Sequence, residues 1–237
     1  LRRHRAGEAA IEGYLDDYAF FIQALLDLYE SSFDIEHLKW AWALQDTQEE
    51  LFGDPAGGYF STTGRDPSIL LRAKNDYDGA EPSGNSIAIL NVLRLSQMTD
   101  SAKLRQRGET ALAFFAGHLK RAPHAAPQML VAVDFHVSKP AQIIIAGTPD
   151  AADTRAMLRK VHSHFIPSKI LMLADGAEGQ KTIGRYMEFF KSVRMFDGKA
   201  TAYVCQDYVC KRPTSDVATM GELLVAGKEG NEKPNGG

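Results

Sequence analysis

The run NDYDGAEPSGNS, residues 75–86, sets carboxylates at Asp76, Asp78 and Glu81 and then opens directly into an apolar stretch. Two neighbouring carboxyl groups can divide acid and base work between them, as in glycoside hydrolysis, where a pair roughly 5–10 Å apart serves either stereochemical sense. Asp78 and Glu81 stand three positions apart, near enough to share one site, and the helix start beside them supplies free N–H donors. They are the candidate catalytic pair. A second acidic cluster, Asp16 and Asp17 beside Tyr18, also stands at a helix start, and Asp17 and Tyr18 become further candidates for holding a ligand. Asn85, one turn inside its helix, carries an amide able to reach a hydroxyl. Tyr59 follows a glycine pair that lets a loop approach a cavity closely. Arg72 completes the set of candidate substrate-binding residues.

Each position has a plainer role beside the chemical one. Glu81 or Ser83 can cap the helix, Pro82 suits a first turn, and acids favour the positive end of a helix dipole. Arg72 and Lys74 can simply neutralise the loop acids. Trp40, Trp42, Tyr59 and Phe60 offer rings for sugar stacking, but aromatics at helical spacing are more often core.

The elements that must position these residues follow from periodicity. Leu15, Tyr18, Ala19, Ile22, Leu25, Leu26 and Tyr29 fall on one helical face. Asp34 caps a second helix through Leu38, Ala41, Trp42, Leu44 and Leu51. GDPAGGYFSTTGRDPS is a breaker-rich loop or short hairpin. A third helix starts near Pro82–Ser83 and carries Ile87, Leu90, Leu93 and Leu95. Asp100 or Ser101 caps a fourth, striped by Leu104, Gly108, Ala111, Leu112, Phe115 and Leu119. A short fifth holds Met129, Leu130, Val133 and His136. Successive antiparallel helices with such connections make an all-helical array.

The rhythm changes at Pro140. QIIIAG is a buried strand, Asp153 caps a helix bearing Met157, Leu158, Val161 and Phe165, and KILMLAD is a second buried strand. Strand–helix–strand at this spacing is a parallel, right-handed βαβ unit. A short helix over 186–193, a strand ATAYVC and a helix over 217–224 complete a small α/β domain. The fold class is therefore mainly α: a helical array over 1–138, a small α/β domain over 139–226, and a disordered tail over 227–237.

Composition narrows the partners. Over 237 residues the chain is 44% hydrophobic and 24% charged, as globular proteins are. A net charge of −3 gives no footprint for nucleic acid or an anionic membrane, and the opening LRRHR reads as a frayed helix end. No apolar run reaches the roughly 20 residues of a bilayer span, and no secretory leader is visible. The chain begins at Leu1 rather than methionine and reads as a piece of a longer protein.

Other candidate sites are thin. Cys205 and Cys210, with four residues between them, have no second pair to form a zinc or redox motif. A hairpin would bring them together, but two cysteines are expected to be ordinary thiols in a soluble protein of a reducing, intracellular compartment. His162 and His164 point to different helix faces, a poor metal site, so neither metal nor cofactor is expected. AGTPDAADT links a strand to a helix and offers its amides to a phosphate, without a glycine-rich fingerprint.

Several runs resemble one family: LDDYAFFIQALLDLYE, ALQDTQEELF with GGYFST, LRAKNDYDGAEPSGNS, IIIAGTPDAADTRAML, IPSKILMLADG and ATAYVCQDYVCKRP. Together they are similar to the spermatogenesis-associated protein 20 family, thioredoxin-domain-containing proteins of the YyaL type. The resemblance implies an N-terminal thioredoxin-like domain followed by a helical toroid like the (α/α)6 six-hairpin glycosidases and N-acylglucosamine 2-epimerases. This chain would be the C-terminal portion of that toroid plus the α/β domain. The implied ligand is a carbohydrate, bound or processed, and the implied partner is the upstream thioredoxin-like domain. No Cys-x-x-Cys is present, so thioredoxin chemistry would lie upstream. No histidine falls in the best motif, which counts against epimerase chemistry. The rival reading is a noncatalytic scaffold serving the thioredoxin-like domain.

Overall fold

The computed structural model describes residues 3–207 and 209–229. It divides into two compact units, Leu1–Val137 and Ser138–Gly237. The protein is mainly α, with an α/β part. The tail anticipated over 227–237 lies, from residue 230 onward, outside the described residues, and the last helix runs to Glu229.

The first unit opens with a small hairpin, not the frayed helix end expected of LRRHR. β1 (Arg3–Arg5) pairs antiparallel with β2 (Glu8–Ala10). The reversal is local: Ala6 and Gly7 both adopt positive φ, the geometry of a two-residue hairpin turn. Five helices follow.

α1 (Leu15–Ser32) buries Leu15, Ala19, Ile22, Leu25, Leu26 and Tyr29, the apolar face its spacing predicts. Phe33 in the left-handed region ends it, its N–H bonding Tyr29 O at 2.7 Å. α2 (Ile35–Phe52) starts at Asp34, whose Oδ1 accepts from Glu36 N–H at 3.0 Å. α3 (Gly84–Thr99) is capped by Ser83 and buries every residue except Gln97. α4 (Ala102–Arg121) is capped by Ser101, and α5 (Pro127–Val137) follows a short 3-10 turn, Pro123–Ala125.

A helix apolar on every side belongs in a core. α3 accordingly packs against α1, α4 and α5, while α2 packs on α1. Polar groups inside this core find partners across helices. Asn91 donates to Ala19 O at 2.7 Å, and Arg94 on α3 pairs with Asp27 (2.8 Å) and Glu30 (3.3 Å) on α1.

The second unit holds a four-stranded sheet in the order β4-β3-β5-β6. β3 (Ala141–Ala146) and β4 (Lys169–Ala174) are parallel, joined through α6 (Ala152–His162), which is the predicted βαβ unit. β5 (Thr201–Gln206) runs antiparallel to β3, and β6 (Val209–Cys210) antiparallel to β5. Buried runs such as Ile143–Ile145 and Ile170–Met172 match strands covered on both faces.

Three local expectations are corrected here. Asp153 is not the cap of α6, a position held by Ala151. It stands in the first turn and accepts from Thr154 N–H (2.9 Å) and from Ala200 N–H (2.8 Å) ahead of β5. Phe165 lies beyond the end of α6 and is 82% exposed. The helix expected over 186–193 is a short 3-10 segment, Glu188–Ser192, and a helix not foreseen, α7 (Glu178–Ile183), precedes it. Asp175 makes that helix possible by accepting from the N–H groups of Ala177, Gly179 and Gln180. α8 (Val217–Glu229) packs on α6 and β5.

Candidate functional site

The starts of α1, α3 and α5 converge on the loop that joins α2 to α3. Leu15 N–H bonds Ser61 O at 3.0 Å, tying α1 to that loop. Asp16 Oδ1 lies against Gly84 where a Cβ would stand, so only glycine lets the first turns of α1 and α3 approach this closely. The two acidic clusters of the sequence thus meet through Asp16.

The three acids of the loop have three different fates. Asp76 faces His118 of α4, with Oδ2 3.3 Å from Nδ1. Asp78 is engaged by backbone: Oδ1 accepts from Ser83 N–H at 2.8 Å, and Oδ2 from Gln128 N–H at 2.7 Å and Met129 N–H at 3.3 Å. Its own N–H donates to Ala125 O at 2.8 Å. One half-buried carboxylate therefore closes the entrance of α3 and caps α5, fifty residues downstream. Glu81 is exposed and its carboxylate has no partner among the described residues. Ser83, not Glu81, caps α3, with its Oγ accepting from Ser86 N–H.

The remaining candidates are mostly structural in placement. Asn85 is fully buried. Its Oδ1 accepts from Tyr59 N–H (2.7 Å), and its Nδ2 donates to Tyr59 O (2.9 Å) and Asn75 O (2.8 Å). Its amide has no reach left for a ligand hydroxyl. Tyr59 is likewise fully buried, in a cluster with Leu15, Ala19, Phe52, Ile87 and Ala88. Burial, reinforced by the negative charge of Glu49, pushes its hydroxyl well above the ordinary tyrosine value. The stacking role imagined for it is replaced by packing, because the glycine pair brings the loop onto α4. Gly57 and Gly58 have positive φ, and a Cβ on either would collide with Phe114 or Phe115.

Tyr18 is half-buried, edge-on to Phe52 at 5.3 Å. Asp17 is exposed, and accepts from Tyr14 N–H at 2.8 Å. Arg72 donates to Thr62 O and Leu51 O and lies 4.1 Å over the Phe60 ring, holding the loop to the end of α2. Trp40 is 53% exposed, edge-on to Phe21 at 4.9 Å.

Two further cations hold the loop: Lys74, read from the sequence as a neutraliser of loop acids, and Arg107, which the sequence did not single out. Lys74 pairs with Asp54 at 2.8 Å, donates to Gly57 O and sits 3.8 Å over the Phe114 ring. Its hydrogen bond, with that of Ala56 N–H, holds the Asp54 carboxyl below its usual range. Arg107, on α4, bonds Glu49 (2.7 Å), Asp54 O (3.3 Å) and Gly58 O (2.7 Å), and lies 4.3 Å from the Tyr59 ring centre. Glu49 and Arg107 also line a cleft of about 410 Å³ between α2 and α4, with Gln45, Asp46, Asp54 and Lys103. Polar Gln45 and Gln48 on the buried stripe of α2 were the sequence signal for this region.

Among the described residues no group of three or more His, Cys, Asp or Glu is placed to hold a metal ion. No described helix is long and apolar enough to cross a membrane. The reading of Cys205 and Cys210 as thiols is overturned: they are opposed residues of β5 and β6, joined in a disulfide. The register of a tight hairpin, not the spacing in the sequence, brings the sulfurs together.

No protein-family model matches the chain. It is 40% identical over 214 residues, 90% of its length, to spermatogenesis-associated protein 20 of Mus musculus, and to the same extent to that of Homo sapiens. An uncharacterised protein of Caenorhabditis elegans is 29% identical over 219 residues, 92% of the chain. The chain spans 27% of the length of the mouse and human proteins and 29% of the worm protein. The resemblance drawn from the loop and its neighbouring runs is thereby shown.

Proposed function

We propose that this relative of spermatogenesis-associated protein 20 supplies one arc of a six-hairpin toroid whose rim binds carbohydrate, with Glu81 as the carboxylate that meets the ligand. Helix order supports the arc: α3 neighbours both α1 and α5, and all three begin at one end, while α2 and α4 pack on this row from α1 and α3. Alternating inner and outer helices are what a toroid of hairpins requires. The remaining wall would come from the rest of the longer protein.

The observation that carries the assignment is the division of labour in the loop. Asp78 spends both carboxylate oxygens on three backbone amides, while Glu81, three residues on, is exposed and uncommitted. A carboxylate needs a free oxygen to accept from a sugar hydroxyl or to hold a transferable proton. Asp78 is accordingly a positioning residue, and Asp17 and Tyr18 at the start of α1 are the candidates for further ligand contacts. Arg72, Asn85 and Tyr59 act by fixing the loop.

A second reading, a noncatalytic module serving an upstream thioredoxin-like domain, draws on the same engagement of Asp78. A glycan-binding screen of the full-length protein, run with Glu81→Gln and Asp78→Asn, separates the two. Binding that is lost in Glu81→Gln with an unchanged melting temperature supports the carbohydrate rim. Absence of glycan binding by the unmodified protein, or binding indifferent to Glu81→Gln, overturns it in favour of the scaffold.

A further inference from the structure

The disulfide of the second unit joins two chemically unequal sulfurs. Cys205 lies within β5 and is 2% exposed. Cys210 ends the two-residue strand β6, is half-buried, and follows Val209, which is 71% exposed. β6 is the outer strand of the sheet, and Lys211 and Arg212, both exposed, come directly after Cys210.

As a staple this bond contributes less than one that closes a long loop. The entropy that a cross-link removes from the unfolded chain grows with the logarithm of the loop it closes, and this one closes a loop of sequence separation 5. The hairpin already fixes that loop through the Cys205↔Cys210 and Gln206↔Val209 register and the bond from Lys211 N–H to Val204 O at 2.9 Å. Chemistry at the less buried of the two cysteines is the better account of it. A thiolate approaching a disulfide attacks the sulfur it can reach, and adjacent positive charge draws the anion in and favours a thiolate at that site.

We propose that Cys205–Cys210 is a thiol–disulfide exchange site whose partner is a dithiol reductant that attacks Cys210 Sγ. In the first step a reductant thiolate bonds to Cys210 Sγ, the Cys205–Cys210 bond breaks, and Cys205 leaves with the electron pair and takes up a proton. In the second, the reductant's other thiolate attacks its own sulfur in the mixed disulfide and releases Cys210 as a thiolate beside Lys211 and Arg212. Two electrons and one proton, the one taken up by Cys205, pass to the protein; the dithiol's second proton goes to solvent, and the dithiol becomes a cyclic disulfide.

The test uses the whole chain, oxidised with glutathione disulfide and then treated with dithiothreitol in native buffer. Alkylation of released thiols is followed by intact mass, and folding by circular dichroism. The expected result is two alkyl groups added with the spectrum unchanged. Release of thiols only at denaturant concentrations that unfold the chain overturns the proposal, as does a chain that carries two free thiols after oxidation.

Reduced glutathione, a monothiol, supplies the second arm, because it stalls at the mixed disulfide. Peptide mapping should find the adduct on Cys210, and an adduct on Cys205 overturns the assignment of the attacked sulfur. In single variants, the Cys210 thiol of Cys205→Ser should alkylate about 10-fold faster at neutral pH than the Cys205 thiol of Cys210→Ser. Equal rates overturn that assignment too. The mapping arm needs no variant, so it stands if either substitution fails to fold.

Discussion

The side-chain amide of Asn85 grips both backbone groups of Tyr59, taking its N–H at 2.7 Å and giving to its carbonyl at 2.9 Å. Twenty-six residues separate the two, and the contact fixes the loop against the first turn of α3. Asn85 donates a third bond to Asn75 O, so the amide holds both ends of the loop at once. Removal of such a group leaves buried backbone atoms without partners, at about 1–3 kcal/mol for each. Asn85→Ala should lower unfolding stability by at least about 3 kcal/mol. Asn85→Asp should not rescue it, since a carboxylate cannot donate to two carbonyl oxygens. Urea titration monitored by circular dichroism reads both, and a small loss in the Ala variant would show that the clamp carries little.

Asp78 and Glu81 should separate cleanly in stability. Asp78→Ala removes the acceptor for three backbone N–H groups at two helix entrances. Loss of one helix cap costs about 1 kcal/mol, and two entrances served together should cost about 2 kcal/mol. Glu81→Gln should fall within about 0.5 kcal/mol of the unmodified chain, as exposed sites do. Denaturation curves that coincide for Asp78→Ala and the unmodified chain would remove Asp78 from its capping role.

Gly84 tests the approach of α1 to α3. A Cβ there would run into Asp16 Oδ1 and come within 3.0 Å of Leu15 Cγ, in a buried region with little room to give. Overfilling of this kind costs about 1–3 kcal/mol, more than the helix propensity gained by alanine returns. Gly84→Ala should therefore destabilise the chain, and Asp16→Ala combined with it should recover part of the loss. Absence of coupling in that double-variant cycle would argue against the contact.

Asp153 gives a pH signature in the second unit. Hydrogen bonds from Ala200 N–H and then Thr154 N–H hold its carboxyl below the ordinary range. A depressed carboxyl contributes stability above its unfolded value, about 3.9, and that stability is lost as pH falls through the folded value. Melting temperatures of Asp153→Asn and the unmodified chain should differ most at neutral pH and converge below about pH 4. A constant offset across that range would mean that the carboxyl does not titrate with folding.

Local signals in the sequence were sufficient for the framework. Asp34, Ser83 and Ser101 cap the helices they were expected to start, Ser83 and Ser101 each being one of two candidates, because a cap needs only a side-chain oxygen and the N–H groups two or three residues on. The apolar face of α1 and the strand–helix–strand rhythm of the α/β part depend on the same short range. The corrections share a longer one. Asp153 left its expected cap for Ala200, forty-seven residues away, and Tyr59 left the surface because α4 packs over its loop.

What the sequence by itself determined, then, was the kind and order of the elements, the helical array followed by a βαβ unit, and the family resemblance carried by DGAEPSGNS and its neighbouring runs. Only the tertiary structure decided which carboxylates are spoken for. Asp76, Asp78 and Glu81 look alike in the chain, and they part company because His118 and the amides of Gln128 and Met129 arrive from helices that begin far downstream. The same holds for Cys205 and Cys210, joined by hairpin register, and for Arg107, which reaches back 58 residues to Glu49. Periodicity encodes which face of an element is buried; it does not encode which partner will be waiting there, because that depends on how separate elements pack.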